Sequence, residues 1–247
     1  MGERCTALLL AAGSGKRMRT KIRKQYLELG GEPLFLHSVR AMDVSGIITD
    51  IILMTPEGDG DYCRKLIEKA GLAGKLRGVF DGGSERYYSV ARGLEAIGWP
   101  CSYVFIHDCA RPFLDQETIR RLYECVRMGQ PCAAGMPSKD TIRITDAKGF
   151  EESTPDRSGT WIVQTPQVFP LTMIREAHRR LVGEADDLER RGIRITDDAM
   201  VARLMSGCRV RMIEASYRNI KVTTPEDLPV AEALLACGRS GRCEGRG

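Results

Sequence analysis

Apolar positions along this chain fall into two alternating kinds of segment. Short apolar runs at 6–11, 50–54, 78–80, 102–107, 132–136 and 209–213 have the length and makeup of strands. Between them the apolar residues take helical spacing over 33–42, 61–70, 84–97, 116–128 and 224–236. Leu34, Leu36 and Val39 mark the first of these helices. Tyr62, Leu66, Ile67 and Ala70 share a face of the second, with Gly71 as its stop. Strand–helix alternation predicts an α/β fold, with a doubly wound, mainly parallel sheet and helices on both faces. Ligands of such sheets sit at the carboxyl ends of the strands.

The alternation breaks once. "TIRITDAKGFEESTPDRSGTWIVQTPQVF", 141–169, reads as alternating strand, a turn at Ala147, Lys148 and Gly149, a polar loop and a second strand. A hairpin inserted there has little of the sheet to pack on and is expected to project toward a second copy of the chain. One domain is expected over 1–237, with 138–164 as an inserted dimerisation arm and 238–247 as a disordered tail.

Composition narrows the classes. With 43% hydrophobic and 28% charged residues the chain is an ordinary globular one, and a net charge of +4 does not by itself call for nucleic acid. No apolar stretch approaches the roughly 18 residues of a membrane helix. "MGERCT" fits a loose myristoylation pattern and "CTALLLAAG" slightly resembles a signal peptide, but both run at once into a strand and then glycines, so a buried first strand is expected. Nine cysteines without a C-x-x-C pair read as reduced, mostly buried thiols, and the chain as cytoplasmic. His37, His107 and His178 lack metal-ligand spacing.

Local charge changes the picture. In "LLLAAGSGKRMRTKIRKQYLELGG", an apolar run meets Gly13 and Gly15, then Lys16, Arg17, Arg19, Lys21, Arg23 and Lys24. Glycines let backbone N–H groups approach phosphate oxygens, and Arg and Lys supply forked and mobile donors. Two familiar phosphate loops fail here. A Walker loop lacks its first glycine and has Arg17 where Ser or Thr belongs; a dinucleotide fingerprint has Met18 at its third glycine. A strand, glycines and spaced cations suit a triphosphate. A nucleic-acid reading would want aromatic platforms, and Tyr26 stands alone.

"LAAGSGKRM…KQYLELGGEPLFLHS" resembles the signature of the sugar-phosphate nucleotidyltransferases, in their cytidylyltransferase branch, with a Rossmann-like fold. "DGGSERYYSV", "HDCARPF", "DRSGTWIVQTPQVF", "TDDAM" and "NIKVTTPEDL" follow in the family's order, so the similarity runs from about residue 6 to 235. It implies CMP transfer from CTP to a polyol phosphate with release of pyrophosphate. The "KQY" and arm patterns favour 2-C-methyl-D-erythritol 4-phosphate as acceptor, ahead of ribitol 5-phosphate.

The same resemblance implies the site. Arg17 and Lys24 would be catalytic, with Ala11, Ala12, Gly13, Ser14 and Gly15 holding the triphosphate. Gly83, Ser84 and Ser89 would read the cytosine edge, and Lys221 would add to the phosphate environment. Asp108 would hold Mg²⁺, with Arg111, Thr165 and Thr196 on the acceptor side. Thr141 and Arg157 of the arm would reach the neighbouring subunit's acceptor. By plain local chemistry, Ser84 and Thr196 are helix N-caps, Asp108 a turn residue before Pro112, and His107 structural.

A phosphate monoester acceptor is mostly dianionic at neutral pH and needs no general base, which agrees with the lack of a Ser-His-Asp or Cys-His set. Positioning and charge neutralisation are expected to carry the reaction. A noncatalytic nucleotide-binding module would be expected to have lost Arg17, Lys24 or Asp108. Three positions depart from the family pattern: Arg23 stands where proline is common, Cys109 where alanine is, and Arg218 where some members carry an acid.

Overall fold

Strand β1 (Cys5–Leu10) shows why the short runs are apolar throughout. Cys5, Ala7 and Leu9 enter the core on one side of the sheet and Leu8 the core on the other. Side chains alternate along a strand, so a strand covered on both faces needs apolar residues at every step. Thr6, the polar exception, accepts a hydrogen bond from the Trp99 indole at 3.2 Å.

The structure is a computed structural model that describes residues 3–13, 15, 18 and 22–239. After β1 come β2 (Glu28–Leu29), β3 (Glu32–Pro33), α1 (Leu34–Asp43), β4 (Asp50–Thr55), α2 (Gly60–Lys69), β5 (Leu76–Asp81), α3 (Arg86–Ala96), β6 (Tyr103–Asp108) and α4 (Gln116–Arg127). Then follow β7 (Cys132–Pro137), β8 (Ile144–Thr145), β9 (Glu151–Ser153), β10 (Trp161–Pro170), α5 (Leu171–Arg190), α6 (Asp198–Ser206), β11 (Arg211–Glu214) and α7 (Asp227–Arg239).

Seven strands form one sheet in the order β11-β7-β10-β6-β1-β4-β5. All pairs are parallel except those of β10, which runs antiparallel to both β6 and β7. The expected α/β, doubly wound, mainly parallel sheet is therefore present. Its register sets Leu10 of β1 beside Met54 of β4 and Asp108 of β6, so three strands end within one residue of a common level.

Several expectations need correction. Of the 138–164 segment, the residues from Trp161 on lie in the central sheet as β10; the short β8–β9 hairpin before them is exposed. Its turn is at Gly149, whose φ of +88° suits glycine. Two helices go beyond the expected set. Helix α5 buries Leu171, Ile174, Ala177, His178, Leu181 and Leu188 at helical spacing, and α6 packs against it.

The expected caps also move. Asp197 rather than Thr196 caps α6, accepting from the Met200 amide at 2.9 Å, and α3 begins at Arg86 with no side-chain cap from Ser84. Ahead of α7, Asp227 accepts from the Thr223 and Thr224 amides, at 2.6 and 2.9 Å. Helix α7 continues through 238 and 239, and 240–247 lie outside the described residues. Cys5, Cys63, Cys101, Cys109, Cys125, Cys132 and Cys208 are free thiols, five of them buried, while Cys237 departs from the reduced set in being disulfide-bonded.

Candidate active site

The level at which the strands end is the floor of a cavity of about 790 Å³. Four segments wall it at the ends of strands: Leu10 to Gly13 with Gly15 at the end of β1, Pro56 and Glu57 after β4, Gly82 to Arg86 with Ser89 after β5, and Asp108 to Ala110 at the end of β6. Lys24, Gln25, Lys221 and Thr223 close it from outside the sheet.

Two glycines are required by this shape. Gly15 has a φ of +62°, and a Cβ there would lie 2.9 Å from the Lys24 Cβ, so the glycine is what lets the lysine segment lie against the loop. A Cβ on Gly82 would meet the Ala12 Cβ at 2.3 Å, which would push the two walls apart. The Gly82 amide donates to Thr55 O at 2.7 Å, tying its wall to the end of β4.

Asp108 is the buried charge of the cavity. One of its oxygens accepts from Arg86 Nε at 3.1 Å and the other from Lys221 Nζ at 2.5 Å. Burial alone would raise this carboxyl, but the Arg86 and Lys221 charges outweigh it and hold the group well below the usual carboxylate range. Arg86 continues inward, donating from Nη2 to Asp198 at 2.8 Å, and Asp198 lies 3.2 Å from His178 Nε2. A chain of alternating charge thus joins β6, α3 and α6, and the His178 contact extends it to α5. Here too burial opposes the charge, and the Arg86 guanidinium keeps the Asp198 carboxyl below its ordinary value.

A second chain fixes the strand end. His107 Nε2 faces Arg111 O at 3.2 Å, an atom that can only accept, so the proton sits on Nε2. Nδ1 then accepts from the Thr165 hydroxyl at 3.0 Å, and Thr165 Oγ1 accepts from the Asp108 amide at 3.1 Å. Full burial pushes the His107 imidazole down to about 4. With both nitrogens occupied, His107 is structural, as its place in the strand suggests.

The expected residues divide into three groups. Ala11, Ala12, Gly13, Gly15, Lys24, Gly83, Ser84, Ser89, Asp108 and Lys221 all line the cavity. Ser14 and Arg17 lie outside the described residues. Arg111, Thr141, Arg157, Thr165 and Thr196 do not line it. Arg111 donates to Asn219 O at 2.8 Å and Val163 O at 3.4 Å, and Thr165 is buried in the histidine chain. Thr141, Arg157 and Thr196 are exposed, the first two beside the hairpin.

Ser89 is used internally. Its hydroxyl accepts from the Gly83 amide at 2.9 Å and donates to Glu85 O at 3.3 Å, so it shapes the loop whose backbone faces the cavity. Arg86, Arg92 and Gln25 line the cavity without having been expected there. The signal for the two arginines was present, since "DGGSERYYSVAR" sets them six residues apart after a glycine pair.

The sequence model of the 2-C-methyl-D-erythritol 4-phosphate cytidylyltransferase family matches residues 5–237. A relative of that name from Lachnospira eligens is 41% identical over 230 residues, covering 93% of this chain and 98% of the relative. One from Geotalea uraniireducens is 41% identical over 243 residues, covering 97% and 100%.

The chain belongs to this family.

Among solved structures, the 4-diphosphocytidyl-2C-methyl-D-erythritol synthase of Anaerococcus prevotii superposes with a TM-score of 0.81 at 28% identity, covering 95% of this chain and 96% of that one. The 2-C-methyl-D-erythritol 4-phosphate cytidylyltransferase of Thermus thermophilus gives 0.71 at 28%, covering 94% and 99%. Membership makes the chain a nucleotidyltransferase, and the cavity at the strand ends is where the fold places such chemistry.

Two departures from the family pattern find physical explanations. Arg23 ion-pairs with Asp59, whose same oxygen accepts from the Tyr26 hydroxyl at 2.6 Å. Its φ of −61° is the angle a proline would impose, so the side chain anchors the segment that a ring would otherwise stiffen. Arg218 donates to Leu234 O of α7 at 3.0 Å, fastening the last helix.

Proposed function

We propose that this chain transfers the CMP group of CTP to 2-C-methyl-D-erythritol 4-phosphate. The products are 4-(cytidine 5'-diphospho)-2-C-methyl-D-erythritol and pyrophosphate. The observation that carries the reading is the cavity itself: glycine-lined backbone at the ends of β1 and β5 shares it with four cations, Lys24, Arg86, Arg92 and Lys221, and one buried carboxylate, Asp108.

The triphosphate lies along 11–15, where backbone N–H groups and Lys24 meet its charge. The cytosine edge faces the backbone of Gly83 and Ser84, held in shape by Ser89. The acceptor's phosphate oxygen attacks the α-phosphorus, pyrophosphate leaves along the glycine loop, and the α-phosphorus passes through a five-coordinate state of increased charge. Arg17 and Lys24 neutralise that charge. No base is needed, because the acceptor's second pKa near 6 leaves its phosphate mostly dianionic.

The residues fit Mg²⁺. Asp108 is ionised, and two cation contacts leave further lone pairs on its carboxylate. Mg²⁺ is commonly held by one or two carboxylates plus substrate phosphates and water, so Asp108 would hold it and it would supply charge neutralisation at the phosphate oxygens. Lys221, which donates to Asp108 here, would then be available to phosphate oxygens.

Ile142, Ile144, Phe150, Ile162 and Val163 are all exposed on and beside the hairpin, with Phe150 at 71%. A patch of that kind suits burial against a second copy, in a homodimer that carries Thr141 and Arg157 to the neighbouring acceptor site. Arg111, Thr165 and Thr196 serve the acceptor side from behind. The free thiols suit a reducing cytoplasm.

An acceptor panel tests the assignment. With Mg²⁺ and CTP, pyrophosphate release should require 2-C-methyl-D-erythritol 4-phosphate. Equal or faster release with ribitol 5-phosphate would overturn it.

A further inference from the structure

Gln25 is the unexplained polar group of this cavity. It sits between Lys24 and Tyr26 in a single 3-10 turn, fixed by hydrogen bonds from the Tyr26 amide to Arg23 O at 2.9 Å and from the Leu27 amide to Lys24 O at 3.1 Å. The residue is 3% exposed, yet both side-chain polar atoms, Nε2 and Oε1, are buried without a hydrogen-bond partner among the described residues. A carboxamide offers two donors and an acceptor, and leaving them buried and unpaired is costly. Native structures hold few such groups, and one beside a binding cavity calls for a ligand.

The surroundings indicate which ligand. Gln25 lines the cavity together with Lys24, Gly15 and Gly13. It follows Lys24 in the chain, and the Lys24 backbone lies against Gly15. Three rotatable bonds give the carboxamide reach into the cavity it lines.

We propose that Gln25 is a further phosphate-binding residue, whose carboxamide donates to an oxygen of the nucleotide's pyrophosphate portion beside Lys24. This deepens the cytidylyltransferase reading and rests on it. The residue is thus unpaired in the free protein and paired in the complex. A group of that kind makes the free chain less stable and the bound one more so.

Calorimetric titration of the full chain with CTP, inorganic pyrophosphate and cytidine, together with thermal melting, tests this. The variants are Gln25→Met, similar in length and apolar, and Gln25→Glu, similar in shape and charged. Gln25→Met should melt at or above the wild-type temperature. It should bind CTP and pyrophosphate about ten- to a hundredfold more weakly, as expected for loss of a hydrogen bond to a charged group. Cytidine affinity should not change. Gln25→Glu should weaken both phosphate ligands further, by repulsion, and serves alone if Gln25→Met does not fold.

Wild-type affinity for CTP and pyrophosphate in either folded variant would overturn the proposal. So would an equal loss for cytidine, which would place the residue's effect on the loop or the base. Failure of the wild type itself to bind CTP would instead sink the underlying reading.

Discussion

At the residue scale, the chemistry divides between side chains that face the cavity and side chains that hold them. Lys24, Asp108 and Lys221 were legible because a strand end, a glycine or a motif marks each one. Arg86 was not singled out, since its importance lies in two carboxylates far apart in sequence, Asp108 and Asp198. Replacing it by Met should cost about 3 kcal/mol of stability in urea unfolding, because two buried carboxylates lose their shared cation. Unchanged stability would remove the charge chain from the account. His107 sets an acid limit. Its folded value of about 4 lies below the ordinary 6.5, so the unfolded chain takes up a proton first and stability falls as pH drops from 6.5 to 4. The full loss is roughly 3 kcal/mol for this shift. His107→Gln should flatten that slope in unfolding midpoints measured between pH 7 and 4.5. Asp108 and Asp198, held below their ordinary 3.8, act in a lower window and lose their contribution as pH falls beneath it.

At the element scale, the strands were readable because burial on both faces leaves few polar steps in the run, such as Thr6 in β1. The corrections came where local and tertiary demands differ. Ser84 has the chemistry of a cap, but the Gly82–Ser84 backbone turns toward the cavity and α3 starts two residues later. The second strand of the arm region reads the same in sequence whether it projects or inserts, and only pairing to β6 and β7 settles that β10 is central. Arg23 offers a test of the lysine segment. Its φ of −61° accepts proline, so Arg23→Pro should keep activity near wild type while abolishing the Asp59 ion pair. A large fall in turnover would show that the side chain does more than anchor. In the exposed hairpin, Phe150→Asp should shift the chain toward monomer in analytical ultracentrifugation, and an unchanged dimer would contradict the arm's proposed role.

At the scale of the whole molecule, one register explains why separated motifs form one site. Leu10 and Asp108 end their strands side by side, level with Met54 one residue before the end of β4, so the loops that follow face a common space. Sequence order alone could place each motif after a strand, but the side-by-side order of β6, β1, β4 and β5 is what joins them. Thr141 and Arg157 are exposed and do not line the cavity, so the proposed acceptor site calls for a second copy of the chain to bring them to it. The central claim is that this cavity joins two phosphates without a base. It is tested most directly by phosphorus NMR of a mixture of the protein, Mg²⁺, CTP and 2-C-methyl-D-erythritol 4-phosphate. The acceptor's monoester signal should give way to the paired signals of a diphosphate diester, with one free pyrophosphate formed for each. CTP breakdown to CMP with the monoester signal unchanged would contradict the account.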